Sequence, residues 1–221
     1  MAATLIPDSD ELRLCSRSGR LHRGSEVFDP WQLRWAAAAA PAESEPVTAT
    51  EAVQRLSASG LLRGVPIAII GPKEANAAQL ATAEALGRRL TETGFTLICG
   101  GRIGVMEAAS RGCRAAGGSM IGILPDDEWY DANDHVAIPI ATGLGPARNV
   151  IIARAAIALV AIGGGHGTLT EMAFGMHFDR LVLALQGAPE VPGAIVCEDV
   201  EEAQVRIARR LLSLDRPRAA P

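Results

Sequence analysis

From Val65 onward the chain alternates short, unbroken apolar runs with longer stretches of mixed character. The runs are Val65 to Ile70, Phe95 to Cys99, Ser119 to Leu124, His135 to Ile140, Ile157 to Ile162, Leu181 to Leu185 and Ala194 to Cys197. A strand covered on one face alternates apolar and polar residues, so a run without alternation predicts a strand covered on both, as in a parallel sheet between layers of helix. The segments between them, Asn76 to Thr93, Gly104 to Ala116, Ala147 to Ala155 and Thr168 to Phe178, predict helices, with a last one from about Val200 to Leu212. This alternation predicts an α/β fold: a doubly wound, mainly parallel Rossmann-like sheet with helices on both faces.

Residues 1–60 read differently and are expected to form an extension to a Rossmann-like domain spanning residues 61–221. Residues 10–35 alternate loosely around Gly19 and Gly24 and carry Phe28, Trp31 and Trp35, which predicts a small hairpin or irregular segment packed on something apolar. Ala42-Glu-Ser-Glu-Pro46 reads as a linker. Thr48-Ala-Thr-Glu51 has the form of a capping box and predicts a short helix to about Ser59.

Composition narrows the function classes. A chain of 221 residues that is 48% apolar can bury one substantial core. Its net charge of −4, without a dense Lys/Arg block, supplies no electrostatic footprint for DNA or RNA, so nucleic acid is not expected as a partner. Cys15, Cys99, Cys113 and Cys197 are scattered, with no Cys-x-x-Cys pair, and predict neither a metal site nor a disulfide framework. They read as thiols in a reducing compartment. The opening Met1 to Asp8 has no basic start followed by an apolar stretch, and no uncharged run reaches the ~20 residues of a membrane-spanning helix. A cytoplasmic protein with no membrane partner is expected.

In open α/β sheets the ligand crevice lies beyond the carboxyl ends of the strands, and glycine collects at those positions here. Gly71-Pro-Lys-Glu follows the first run, Gly100-Gly-Arg-Ile-Gly104 the second and Gly163-Gly-Gly-His-Gly-Thr168 the fifth. Each loop precedes a helix, whose free N–H groups and dipole favour a phosphate. The ligand-binding candidates are Gly71, Lys73, Gly100, Gly101, Arg102, Gly104 and Met106 from the first two loops. From the later segments they are Asn149, Gly163, Gly164, Gly165, His166, Gly167 and Thr168. The last loop lacks the Gly-Lys-Ser/Thr ending of a P-loop and the final glycine of the dinucleotide fingerprint. Arg102 and Lys73 are either ligand partners or solvated charges, and His166 either contacts ligand or points to solvent. Glu171 stands three residues after Thr168, which allows a second capping box or, alternatively, a carboxylate facing the sugar or base of a nucleotide. Arg148, at the start of an apolar helix, needs a carboxylate such as Glu171 or a ligand phosphate to balance its burial.

Two stretches, Gly100-Gly-Arg-Ile-Gly-Val-Met-Glu on to Pro125 and Arg148-Asn149 on to Gly163-Gly-Gly-His-Gly-Thr-Leu-Thr-Glu171, resemble the LOG family, also called SLOG or lysine decarboxylase-like. Within it the molybdenum cofactor carrier branch is the most similar. The resemblance covers roughly residues 65–186 and implies a Rossmann-like subunit, assembled as a homodimer or homotetramer, that binds nucleotide-like phosphates. In the enzymes of the family, which release a base from a nucleoside 5′-monophosphate, an Arg and a motif Glu carry the hydrolysis, and those positions match Arg148 and Glu171. The enzymes have Arg-Lys where this chain has Arg148-Asn149, and Pro-Gly-Gly where it has Gly163-Gly164-Gly165. The carrier branch shows the forms seen here, together with the Asp131-Ala-Asn-Asp134 stretch and the Thr142-Gly-Leu-Gly145 loop. A binding protein for a phosphorylated nucleotide-like or pterin ligand follows, with molybdenum cofactor or a nucleoside monophosphate as the bound group, no required cofactor and no metal ligand. The alternatives are a phosphoribohydrolase using Arg148 and Glu171, and a nucleotide sensor whose amino-terminal segment docks a protein.

Overall fold

The computed structural model of the protein describes residues 11–215. The reading of Met1 to Asp8 as free of an export signal falls outside them. The chain forms two compact units: the described residues up to Arg63 together with those from Ala208 onward, and Gly64–Ile207.

The first unit is built on an antiparallel sheet of β1 (Leu12–Cys15), β2 (Leu21–Arg23), β3 (Glu26–Asp29), β4 (Arg34–Ala37) and β5 (Ser44–Pro46), followed by α1 (Ala49–Ala58). Its order is β4-β3-β2-β1-β5. The expected hairpin is therefore a five-stranded sheet, and the expected linker supplies its last strand. Glu45 pairs with Leu14, and Arg13 reaches across to donate to Ser44 O at 2.7 Å. Pro46 is tolerated because β5 lies at the sheet edge, where a missing N–H breaks no ladder. Phe28 is buried and packs on Trp35 with ring centroids 5.2 Å apart, and Trp35 Nε1 donates to Leu212 O at 2.7 Å. Trp31 does not join that patch: it is 58% exposed, with the Arg63 guanidinium 5.3 Å from its ring centre. The capping box of α1 forms, Glu51 N donating to Thr48 Oγ1 and Thr48 N to Glu51 Oε2.

The second unit is a doubly wound α/β sheet. Its elements are β6 (Pro66–Ile70), α2 (Ala77–Thr93), β7 (Thr96–Cys99), α3 (Val105–Ala115), β8 (Met120–Leu124), β9 (Val136–Ala141), α4 (Asn149–Ala155), β10 (Ala158–Ile162), α5 (His166–His177), β11 (Leu181–Leu185) and β12 (Ile195–Val196). The last helix, α6 (Val200–Leu211), runs from this unit into the residues grouped with the first. The order β12-β11-β10-β6-β7-β8-β9 is parallel throughout. β6, β10 and β11 are enclosed on both faces, as their unbroken apolar runs require. β9 departs from that expectation. As an edge strand it leaves Ile138 and Ile140 exposed and accommodates Pro139. Chain order reverses between β6 and β10, so the helices after these strands diverge to opposite faces and open a crevice at their carboxyl ends.

Candidate functional site

A cleft of about 430 Å³ lies at that reversal point. Its lining brings together Gly71 and Lys73 after β6, Gly100 and Met106 after β7, Arg148 and Asn149 at the start of α4, and Gly165, Gly167, Thr168 and Glu171 from the first turns of α5. Of the other expected site residues, Gly101, Arg102, Gly104, Gly163, Gly164 and His166 stand outside the lining. Arg102 is held by Asp126, Nη1 to Oδ2 at 2.6 Å, and His166 is exposed in the first turn of α5. Ile70, Pro72, Pro125 and Pro146 also line the cleft and had not been anticipated. The rule that singled out Gly71 and Gly100, position just past an apolar run, points equally to Pro125.

The glycine loop after β10 is short. The helix begins inside it, at His166, with Gly165 as N-cap and Leu169 N donating to Gly165 O at 2.9 Å. The first-turn N–H groups of Gly167 and Thr168 thus lack intrahelical acceptors and lie beside the cleft. Two residues before the cap the chain turns through the left-handed region, with φ of +58° at Gly163 and +142° at Gly164. A side chain on Gly164 would also strike Thr168 at 2.5 Å, so the turn requires glycine for both conformation and space.

Because α5 starts two residues early, Thr168 is an interior residue of the first turn and no side-chain cap forms. The second capping box is thereby overturned. Glu171 instead points to α4, where its Oε1 accepts from Arg148 Nη1 at 3.2 Å. Asn149 Oδ1 accepts from the same nitrogen, and Arg148 Nη2 donates to Gly100 O at 3.4 Å. Both partners are more than nine-tenths buried. Burial pushes the Glu171 carboxyl up to about 7, the attraction of Arg148 offsetting only part of the desolvation. Arg148 Nε is buried and finds no acceptor among the described residues. A buried guanidinium N–H without a partner is costly, and this one belongs to a residue that borders a cleft.

Gly100 explains how the guanidinium fits. A methyl group there would collide with Arg148 and lie 2.8 Å from Met106 Sδ, so the absent side chain makes room for the cation. Asn149 is engaged on both sides of its amide. Its Nδ2 donates to Gly167 O at 3.3 Å and Thr170 Oγ1 at 3.1 Å, tying α4 to the first turn of α5. Among the described residues no group of His, Cys, Asp or Glu is placed to hold a metal ion, and no helix is long and apolar enough to cross a membrane.

The model of the SLOG cluster4 family matches residues 65–217, the stretch that contains every loop of the cleft. The chain belongs to the SLOG cluster4 family. Within this fold, it is 35% identical to the molybdenum cofactor carrier protein of Chlamydomonas reinhardtii, with a TM-score of 0.63 over 69% of this chain and 100% of that one. The molybdenum cofactor binding protein of Rippkaea orientalis is 33% identical, with a TM-score of 0.62 over 66% of this chain and 96% of that one. A probable cytokinin riboside 5′-monophosphate phosphoribohydrolase of Oryza sativa is 32% identical over 90 residues, 39% of this SLOG chain and 37% of the plant protein.

Proposed function

We propose that this SLOG protein binds a small phosphorylated ligand of nucleotide or pterin type in the cleft and carries it without obligatory chemistry, molybdenum cofactor being the pterin candidate. The observation that carries the reading is the convergence on one cleft of Arg148, Lys73 and the first turn of α5, two cations and a positive helix end that together favour a phosphate. A phosphorylated pterin suits these residues, since Arg148, Lys73 and the α5 N–H groups offer charge and donors to its phosphate. The carriers of similar structure are matched over nearly their whole length, which supports cargo binding.

Asn149 favours binding over turnover. Its amide accepts from Arg148 and donates to α5, whereas a lysine at this position has no acceptor and would set a second cation beside Arg148. Hydrolysis of a nucleoside 5′-monophosphate is the second reading, favoured by one feature: a cleft carboxyl at about 7 is tuned for proton transfer near neutrality. Within the first reading the protein works in the cytoplasm as a homodimer or homotetramer, which analytical ultracentrifugation tests. Incubating purified protein with AMP, with native mass spectrometry and chromatography of the products, separates the two. Retained AMP without free adenine supports a carrier; adenine and ribose 5-phosphate released by the protein but not by Glu171→Ala supports the hydrolase.

A further inference from the structure

The segment between β8 and β9 carries chemistry that the cleft itself does not use. It leaves the cleft wall at Pro125 and is tied down at Asn133, whose backbone N–H and side-chain amide donate to Gly101 O, next to the cleft residue Gly100, at 2.9 and 3.2 Å. The amide also donates to Arg102 O at 2.9 Å. Arg102 closes the arch from within, Nη1 donating to Asp126 Oδ2 at 2.6 Å and to Asp131 O at 3.4 Å. A second set of bonds braces the first foot, Gly143 N to Asp126 O and Gly145 N to Pro125 O, both at 2.9 Å. Both feet are thus anchored beside Gly100 and Pro125, which line the cleft.

At the apex a single 3₁₀ turn, Trp129–Asp131, presents two large aromatic rings. Trp129 is 64% and Tyr130 67% exposed, and the rings meet edge to face with centroids 5.9 Å apart. Each braces the other while its outer surface stays bare. On a backbone pinned at both ends such a pair is a ready platform, because little freedom remains to be lost when something stacks on it.

Charge decides what the platform suits. Beyond the Arg102–Asp126 pair, Asp127, Glu128 and Asp131 lie on this arch, whereas Lys73, Arg148 and the amino end of α5 lie in the cleft. A phosphate is repelled by the first set and attracted by the second. The arch therefore suits the opposite end of an elongated ligand, a flat heteroaromatic ring with exocyclic amino groups that carboxylates can accept from. We infer that Trp129 and Tyr130 form a stacking subsite for the aminated purine or pterin ring of a ligand whose phosphate lies in the cleft. This subsite rests on the phosphate-binding reading above.

The test compares AMP with ribose 5-phosphate, which carries the same phosphate and sugar without the ring. Calorimetric titration of the full chain should show AMP binding about tenfold tighter than ribose 5-phosphate, the scale of one base stacked on an aromatic side chain. Trp129→Ala should remove that advantage while leaving ribose 5-phosphate affinity and the melting temperature unchanged, and Trp129→Phe should restore most of it. An AMP advantage that survives Trp129→Ala, or no advantage in the unsubstituted protein, overturns the subsite while the phosphate site stands. If neither compound binds, the phosphate-binding reading itself is overturned, and the subsite with it.

Discussion

Replacing Glu171 by Gln tests whether burial or the attraction of Arg148 governs the centre of the cleft. The carboxyl rises from 4.5 to about 7 on folding because removing it from water costs more than the guanidinium at 3.2 Å returns. A raised carboxyl means that the folded state holds a proton which the unfolded state has released. Its contribution to stability is complete below pH 4.5 and is lost as pH rises to about 7. At about 1.36 kcal/mol per pH unit over this interval, the loss is about 3 kcal/mol. Gln has the shape of the protonated acid and cannot titrate. Urea denaturation of both proteins from pH 4 to 8 isolates the effect, since the difference between their unfolding free energies cancels all groups not coupled to position 171. The unsubstituted protein should lose about 3 kcal/mol relative to Glu171→Gln across that range. A flat difference would show that desolvation and attraction balance. A difference that grows in favour of the carboxylate as pH rises would refute the reasoning, because Arg148 would then hold Glu171 below its ordinary value.

The other predictions concern the cleft and two helix caps. Gly100→Ala pushes a methyl group into Arg148 and toward Met106 Sδ, and should cost about 1–3 kcal/mol in thermal or urea unfolding and weaken ribose 5-phosphate binding. Arg148→Met removes the charged donor assigned to phosphate and should weaken ribose 5-phosphate by roughly tenfold to a hundredfold in calorimetry, while leaving Glu171 without its cation and raising it further. Gln79 caps α2 through Oε1, which accepts from Asn76 N at 3.1 Å, and holds the β11 loop through Nε2, which donates to Gln186 O at 3.2 Å. Gln79→Glu keeps the first bond and loses the second, so equilibrium unfolding should rank it between the unsubstituted protein and Gln79→Ala. Thr48→Ala removes the cap of α1 and should cost about 1 kcal/mol by urea denaturation.

The central strands of the second unit were legible because each is a short apolar run ended by Gly, Pro or a polar turn, and burial on both faces leaves no other pattern. β9 was harder, since Pro139 and its exposed isoleucines describe an edge that a single run of residues cannot distinguish from a centre. β5 was missed because Ser-Glu-Pro has no strand propensity of its own. It pairs only because β1 presents a free edge, and that edge is formed by residues some 30 positions away. Convergence of the glycine loops followed from the βα alternation, which puts every such loop at one edge of a parallel sheet.

The order of apolar runs and the glycines after them sufficed for the doubly wound sheet and the crevice at its carboxyl edge, because these follow from periodicity and chain direction. What only the tertiary structure decided was the start of α5 at His166, which took Glu171 out of a capping box and set it against Arg148. The tertiary structure also turned Arg102 to Asp126 and left Arg148 Nε without an acceptor among the described residues. Hydrogen-bond partners and desolvation depend on which distant segments meet in space, and no local pattern of residues carries that information.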